Sequence, residues 1–196
     1  MNAQSAEIPA AFLTPRLRLR IWNDADFGPF AAMNGDSRVM AHFPDTLTPR
    51  ESHLAYNRIR EHLRENGYGF WALERLDNGE FLGFAGLQQI PFEAHFTPGV
   101  EIAWRIKTLA WNRGYATEAA QACLKLAFNS LKLPVVYAFT TPANLASLRV
   151  MEKLGMERIG EFGHPRIPAP SPFHEHLLFR LENPAVFGQE PYEPGF

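Results

Sequence analysis

One run, Trp111-Asn112-Arg113-Gly114-Tyr115-Ala116-Thr117-Glu118-Ala119, constrains the fold of this chain more than any other. It reads as a short glycine-containing loop that enters a helix directly, and no acidic residue stands between Glu101 and Glu118. Such a loop turns several backbone N–H groups toward one place, and the helix N-terminus adds roughly half a positive charge there. Together they make an anion site suited to a phosphate or pyrophosphate. Taken alone, the same spacing also fits an ordinary strand-to-helix connection.

Apolar spacing places the elements around that loop. From Arg16 to Trp22, Leu17, Leu19 and Ile21 alternate with Arg16, Arg18 and Arg20, which predicts a half-buried strand with a basic outer face. Asn23 or Asp24 can cap a helix reaching Met33, weakened by Gly28-Pro29. Thr48-Pro49-Arg50-Glu51 predicts a capped helix start, with a run to Glu65 and a stop at Asn66-Gly67. Phe70 to Leu76 and Phe81 to Gln88 flank Asp77-Asn78-Gly79-Glu80, a hairpin signal, and Gly99 to Ile106 predicts the neighbouring strand. In the helix after the loop, Ala116, Ala120, Cys123, Leu124, Ala127, Phe128 and Leu131 share one face, and Leu133-Pro134 ends it. Val135 to Thr140 predicts a buried strand, and Asn144 to Leu154 a short helix closed by Gly155. Met156 to Phe162 and Glu175 to Leu181 predict the last strands, with a proline-rich loop, Gly163 to Pro172, between them. The order β-α-α-β-β-β-α-β-α-β-β predicts the α+β class: one mixed, mostly antiparallel sheet of about seven strands flanked by about four helices.

A chain of 196 residues suits one domain, placed at 12–182, with an N-terminal extension at 1–11 and a tail at 183–196. In the tail, Phe187, Tyr192 and Phe196 point to docking on the body or on a partner. With 46% hydrophobic and 20% charged residues the composition is that of a globular protein. A net charge of −2 speaks against non-specific nucleic-acid binding, which needs many Lys and Arg contacts to phosphate. Cys123 stands alone, so no intrachain disulfide forms and a reducing cytoplasm is expected. Met1 to Ala11 lacks the basic and apolar regions of a signal peptide, and no apolar run is long enough for a membrane span.

Three further stretches extend the pattern. The opening Thr14-Pro15-Arg16-Leu17-Arg18-Leu19-Arg20, the strand Glu101-Ile102-Ala103-Trp104-Arg105-Ile106 and the helix Asn144-Leu145-Ala146-Ser147-Leu148-Arg149-Val150-Met151-Glu152-Lys153-Leu154-Gly155-Met156 stand in order around the Trp111 loop. In these motifs the chain resembles the GNAT superfamily of acetyl-CoA-dependent N-acetyltransferases, over Thr14 to Leu181. Within it, the match is to the branch of the ribosomal-protein N-terminal (alanine) acetyltransferases and small-amine relatives. Two positions depart from the superfamily pattern. Asn112 stands where glycine or a basic residue is common, and asparagine tolerates left-handed backbone better than most residues. Met151 stands where many members carry a tyrosine that protonates the leaving thiolate, so a different proton route is implied.

The resemblance implies acetyl-CoA as co-substrate and no metal. It implies that Trp104 and Ile106 offer backbone groups to the pantetheine arm, and that Trp111, Asn112, Arg113, Gly114, Tyr115, Ala116 and Thr117 form the pyrophosphate loop, with Arg113 able to add charge. Asn144 and Ser147 are implied as pantetheine contacts. The competing roles are a helix cap for Asn144 and a solvent-exposed serine for Ser147. Glu118 is expected to point away from the anion, since beside a pyrophosphate it would repel. Glu101 is the candidate proton-handling or amine-orienting residue, against a surface carboxylate paired with Arg105 or a neighbouring strand. His164, His174 and His176 complete no tight metal-ligand set. One of them, or His95, is a further candidate base, while Cys123, Trp22, Phe43, Trp71 and Phe92 read as core or lining.

The acceptor bears on the base required. A lysine amine loses its proton at a cost of roughly 4–5 kcal/mol at pH 7, an α-amine about 1. With no tyrosine at 151, a weakly basic route through Glu101 and water suits a peptide or protein N-terminal α-amine better than a lysine, with small-molecule amines also open. The alternatives to a cytoplasmic N-acetyltransferase are a non-catalytic acyl-CoA sensor and a peptide-tail binder. No nucleic acid or membrane partner is expected, and monomer and homodimer are both open. The first two helices and the loops Phe92 to Gly99 and Gly163 to Pro172 are expected to wall the acceptor site.

Overall fold

In the computed structural model, which describes residues 11–195, the strands are β1 (Ala11–Leu13), β2 (Leu17–Arg20), β3 (Phe70–Arg75), β4 (Phe81–Gln89), β5 (Val100–Ile106), β6 (Val135–Thr140), β7 (Glu157–Gly163) and β8 (Glu175–Glu182). The helices are α1 (Phe27–Gly35), α2 (Pro49–Asn66), α3 (Tyr115–Lys125) and α4 (Leu145–Lys153). One sheet runs β1-β2-β3-β4-β5-β6-β8-β7, and every pairing is antiparallel except β5 with β6.

The expected α+β class and element order hold, with one strand more. β1 pairs with β2 from Ala11↔Arg20 to Leu13↔Arg18, and a three-residue strand is too short for alternation to reveal it. Apart from Ala11, the proposed N-terminal extension lies outside the described residues. The α1 boundary also moves. Asn23 opens a single 3-10 turn, Asp24–Asp26, and α1 begins at Phe27, so Pro29 falls in its first turn where a missing N–H costs little. α2 starts as expected: Thr48 Oγ1 accepts from the Glu51 N–H at 3.2 Å, and Glu51 accepts from the Thr48 N–H at 2.8 Å.

Strand register assigns the two faces. Trp71 and Leu73, Ala85 and Leu87, and Ile102 and Ile106 share the face beneath α3. Ala119, Ala120 and Cys123 on α3, and Ala127 just past its end, are all fully buried, and these small side chains let the helix lie close to β4 and β5. Burial pushes the Cys123 thiol well up, as befits a core residue. On the other face, α1 and α2 pack through aromatic edges: Trp22 meets Phe30 at 5.2 Å and Tyr56 at 5.6 Å.

Two predicted segments end differently. The helix expected to reach Leu131 is regular only to Lys125 and then widens into a π turn, where the Leu131 N–H donates to the Leu126 carbonyl at 3.0 Å. Buried Asn183 takes up the Phe128 carbonyl at 3.3 Å and the Leu133 carbonyl at 3.0 Å. The tail docks on the body through Tyr192, whose ring meets Phe128 at 5.5 Å and whose carbonyl accepts from Asn129 at 2.8 Å. Phe187 is exposed, and Phe196 lies outside the described residues.

The basic face of β2 is neutralised. Arg18 pairs with Glu74 at 2.9 Å, and Arg20 with Asp26 and with Glu74, each at 2.7 Å. Arg16 pairs with Glu118, only 5% exposed, which also accepts from Thr14 Oγ1 at 2.5 Å and from the Arg16 N–H at 2.9 Å. Glu118 thus ties α3 to the β1–β2 turn. Glu118→Ala should lower the unfolding free energy by about 2 kcal/mol in urea denaturation, because it strands buried donors. A loss below about 0.5 kcal/mol would show that these bonds add nothing net.

Candidate active site

The segment joining β5 to α3 is set by its backbone. A 3-10 turn, Thr108–Ala110, follows β5, and the Trp111 indole N–H donates to the Ile106 carbonyl at 2.7 Å. Asn112 has φ 58° and Gly114 φ 81°, so both occupy the left-handed region, as the asparagine-for-glycine reading requires. Gly114 is the N-cap of α3 and offers no capping side chain. Among the described residues, the backbone N–H groups of Asn112, Arg113, Gly114, Tyr115, Ala116 and Thr117 donate to no protein acceptor. Six consecutive free amides at a helix N-terminus form an anion cradle. Glu118 points away from it, as expected, toward Thr14 and Arg16. The Arg113 side chain is exposed, while Tyr115 is buried and brings only its amide.

Arg16 braces this loop, a role that spacing along the chain could not reveal. Its Nη1 donates to the Arg113 carbonyl at 2.8 Å, and its guanidinium lies 4.7 Å from the centre of the Tyr115 ring.

Beside the cradle the sheet opens. β5 and β6 pair only at Glu101↔Tyr137 and then diverge. Beyond the end pair Gly83↔Ile106, the Lys107 N–H donates to the Leu82 carbonyl at 2.9 Å, which makes Gly83↔Ile106 a non-hydrogen-bonded pair. By alternation, Trp104 and Ile106 turn their N–H and C=O groups away from β4 and into the gap. The Ile106 carbonyl there is taken by Trp111; its N–H and both Trp104 groups have no strand partner. A partnerless strand edge thus runs from Glu101 toward the amide cradle.

Glu101 stands at the fork. It shares a sheet face with Gln88, Arg105 and Tyr137, and it is partly buried. The expected alternative, pairing with Arg105, is absent: Arg105 donates to Asn34 Oδ1 at 2.7 Å instead. Desolvation raises the Glu101 carboxyl to about 7, with the positive charge of Arg166 pulling it the other way.

A family model, the Acetyltransferase (GNAT) domain, matches residues 16–157. The chain belongs to this family. YkkB of Bacillus subtilis (strain 168), an uncharacterized protein, is 33% identical over 157 residues, 80% of this chain and 87% of that one. The crystal structure of a GNAT-family acetyltransferase from Bacillus anthracis superposes with a TM-score of 0.73 at 27% identity, covering 88% of this chain and 98% of that one. The ribosomal-protein-S5-alanine acetyltransferase of Vibrio fischeri shares the fold, with a TM-score of 0.70 over 95% of this chain and 100% of that one, at 14% identity.

GNAT domains use acetyl-CoA, and the chain presents polar groups in want of a partner beside the fork. The amide cradle is one set. Another is Thr141, just past the end of β6, whose buried hydroxyl makes no hydrogen bond. Thr141 stood outside the expected contacts, and its only signal was its place between β6 and Asn144. Asn144 caps α4: its Oδ1 accepts from the Ser147 N–H at 3.2 Å and its Nδ2 donates to Thr140 Oγ1 at 2.8 Å. Each end of that amide keeps one further hydrogen-bonding position. The Ser147 hydroxyl has no protein partner among the described residues and is partly exposed. Met151 is buried in the core and donates no proton.

On the Glu101 side, the two expected wall loops lean together. Arg166 donates to the Pro91 carbonyl and lies 6.0 Å from the Phe92 ring centre, and Phe92 meets His164 at 4.8 Å. His164 and His176 stand 5.1 Å apart, and burial pulls both down, His164 to about 4, so both are neutral at pH 7. His174 turns onto the Ile167 carbonyl, and His95 is exposed. Among the described residues no three His, Cys, Asp or Glu side chains gather to hold a metal ion, and no helix is long and apolar enough to cross a membrane.

The raised Glu101 value is also a stability statement. The folded protein holds this proton more tightly than the unfolded chain, whose carboxyl titrates near 4.5, so stability falls as pH rises from about 4.5 through about 7. Glu101→Gln should therefore melt higher than the parent above pH 7 and match it near pH 4. Parallel melting curves across that range would show that Glu101 is not dehydrated.

Proposed function

We propose that this GNAT protein moves the acetyl group of acetyl-CoA directly onto a primary amine, with a peptide or protein N-terminal α-amine favoured over a small-molecule amine. The observation that carries this reading is the row of free amides from Asn112 to Thr117 at the end of a partnerless strand edge. In it, those amides receive the pyrophosphate, with Arg113 adding charge and Trp111 holding the loop against Ile106. The free groups of Trp104 and the Ile106 N–H run along the pantetheine arm, and Thr141 after β6, the spare positions of Asn144 and Ser147 at the start of α4 meet it from the other side. Glu101 takes the amine proton, directly or through water, at the fork. A carboxyl that titrates near 7 is matched to an α-amine, whose own proton costs about 1 kcal/mol at neutral pH. Met151 contributes no acid, and the leaving sulfur takes its proton from water. The lone buried Cys123 suits a cytoplasmic setting.

Calorimetry with acetyl-CoA tests the cradle. Gly114→Ala and Gly114→Glu share the backbone strain of a side chain at φ 81°, about 1–2 kcal/mol, but only glutamate brings charge. The expected order of affinity is parent, then alanine within about tenfold, then glutamate at least another tenfold weaker. Parent-like affinity in Gly114→Glu refutes the assignment.

Turnover tests Glu101. The parent kcat should climb through about pH 7 and level off, whereas Glu101→Gln should lose that limb and most of its turnover while keeping its coenzyme affinity. Equal profiles would remove Glu101 from the chemistry. The buried Met151 favours a second reading, a non-catalytic acyl-CoA sensor. Thiol release from acetyl-CoA across a panel of amines separates the two, since a sensor binds without releasing thiol.

A further inference from the structure

Arg105 lies on the same sheet face as Glu101, four residues further along β5, and its surroundings are unlike those of the arginines on β2. Arg18 and Arg20 each meet a carboxylate. Arg105 meets none among the described residues: its Nη1 donates to the neutral Asn34 Oδ1 at 2.7 Å. Its Nε is sealed from solvent without an acceptor, and Nη2, also without a partner, is the nitrogen left open. The guanidinium is held by ring faces, 4.5 Å from the centre of Phe43 and 5.4 Å from that of Phe84. Asn34 is itself fully buried and donates to Ser52 at 3.4 Å, so the head group has a set position.

Enclosing a cation without a counter-charge is unfavourable, and a neutral side chain would fill the same space without that cost. Burial drags the guanidinium down to about 10. The edge shared by Nε and Nη2 is free of protein partners, and Phe43 above it is 42% exposed, on the loop between α1 and α2. A fixed, largely buried guanidinium that keeps Nη2 open and no counter-charge suits a carboxylate oxygen.

We propose that Arg105 receives a carboxylate of the acceptor, carried several bonds away from the amine that is acetylated. The inference rests on the reading above only in placing that amine at Glu101. Four residues of extended strand span about 13 Å between Cα atoms. The α-amine and α-carboxylate of one amino acid cannot bridge that distance, whereas a peptide with an acidic residue close behind its N-terminus can. Arg105 thus selects acceptors of acidic N-terminal sequence and discriminates against their neutral isosteres.

The test uses two pairs of peptides ending in C-terminal amides: Ala-Asp-Ala and Ala-Ala-Asp, each beside its Asn counterpart. Calorimetric binding to the CoA-loaded protein needs no turnover, and KM with acetyl-CoA is read alongside. At least one Asp peptide should bind about tenfold or more tighter than its Asn partner and show a KM lower by a similar factor. In Arg105→Met that ratio should fall to within about twofold, and Arg105→Lys should restore part of it. Equal binding of Asp and Asn peptides by the parent overturns the proposal, as does an Arg105→Met variant that weakens both members of a pair by the same factor. Should the Asp peptides bind preferentially while no thiol is released, acetyl transfer falls and the role of Arg105 stands. Thiol release without any preference for acid leaves acetyl transfer standing and removes Arg105.

Discussion

Two neighbouring parallel strands that meet at one residue pair and then part are the constraint on which this molecule turns. β5 and β6 touch at Glu101↔Tyr137, and past that point each keeps its own direction. A parallel pair needs a crossover, and here the crossover is α3, which leaves β5 through the Trp111 loop and packs under the sheet. The parting of the strands therefore brings a strand edge with free hydrogen-bonding groups and a helix start with free amides to the same place. Unpaired backbone inside a protein is costly unless something supplies partners. A long ligand with alternating amides and a diphosphate end supplies both kinds, which makes the fork suited to coenzyme A.

Charge around the fork is arranged with the same economy. The one acidic side chain in the first turn of α3, Glu118, is drawn back into the β1–β2 turn by Thr14 and Arg16, which leaves the cradle positive. Glu101 forms no hydrogen bond or ion pair among the described residues, and its burial outweighs the pull of the Arg166 charge, so its proton is exchangeable near neutrality. Arg105 is dehydrated with a neutral partner. An acid that resists ionising and a base without a counter-ion occupy one face of one strand, about 13 Å apart, on the side where α1, α2 and the β7–β8 loop cover the sheet. In the proposed reading, coenzyme groups lie to the α3 end and acceptor groups to this side. Family membership speaks for the first set of groups; the second is where members with different acceptors are free to diverge.

Much of this was legible in the chain. Alternation in Leu17–Arg20 and the apolar runs on either side of Asp77–Glu80 marked strands, the Thr48–Glu51 box and Gly67 marked both ends of α2, and the small-residue face of α3 marked a core helix. Each is a local property, decided within a few residues of backbone. β1 was missed because three residues carry no period, and the end of α3 because Asn183, far along the chain, takes up carbonyls there. The residues of the site divide the same way. The Asn112–Thr117 amides follow from loop and helix chemistry, and Asn144 from capping. Arg16, Thr141 and Arg105 carry no local signal of their roles: each takes its surroundings from neighbours distant in sequence.

The chain by itself determined most of the elements, their order, the left-handed turn at Asn112 and Gly114 and the free amides at the start of α3, because hydrogen bonding and side-chain period are settled over short spans. Only the tertiary structure decided that β5 and β6 part after Glu101, that Glu118 turns away, and that Glu101 and Arg105 are buried without an ion-pair partner among the described residues. Those outcomes depend on dehydration and on contacts between segments far apart in sequence, and neither is encoded in any one of them.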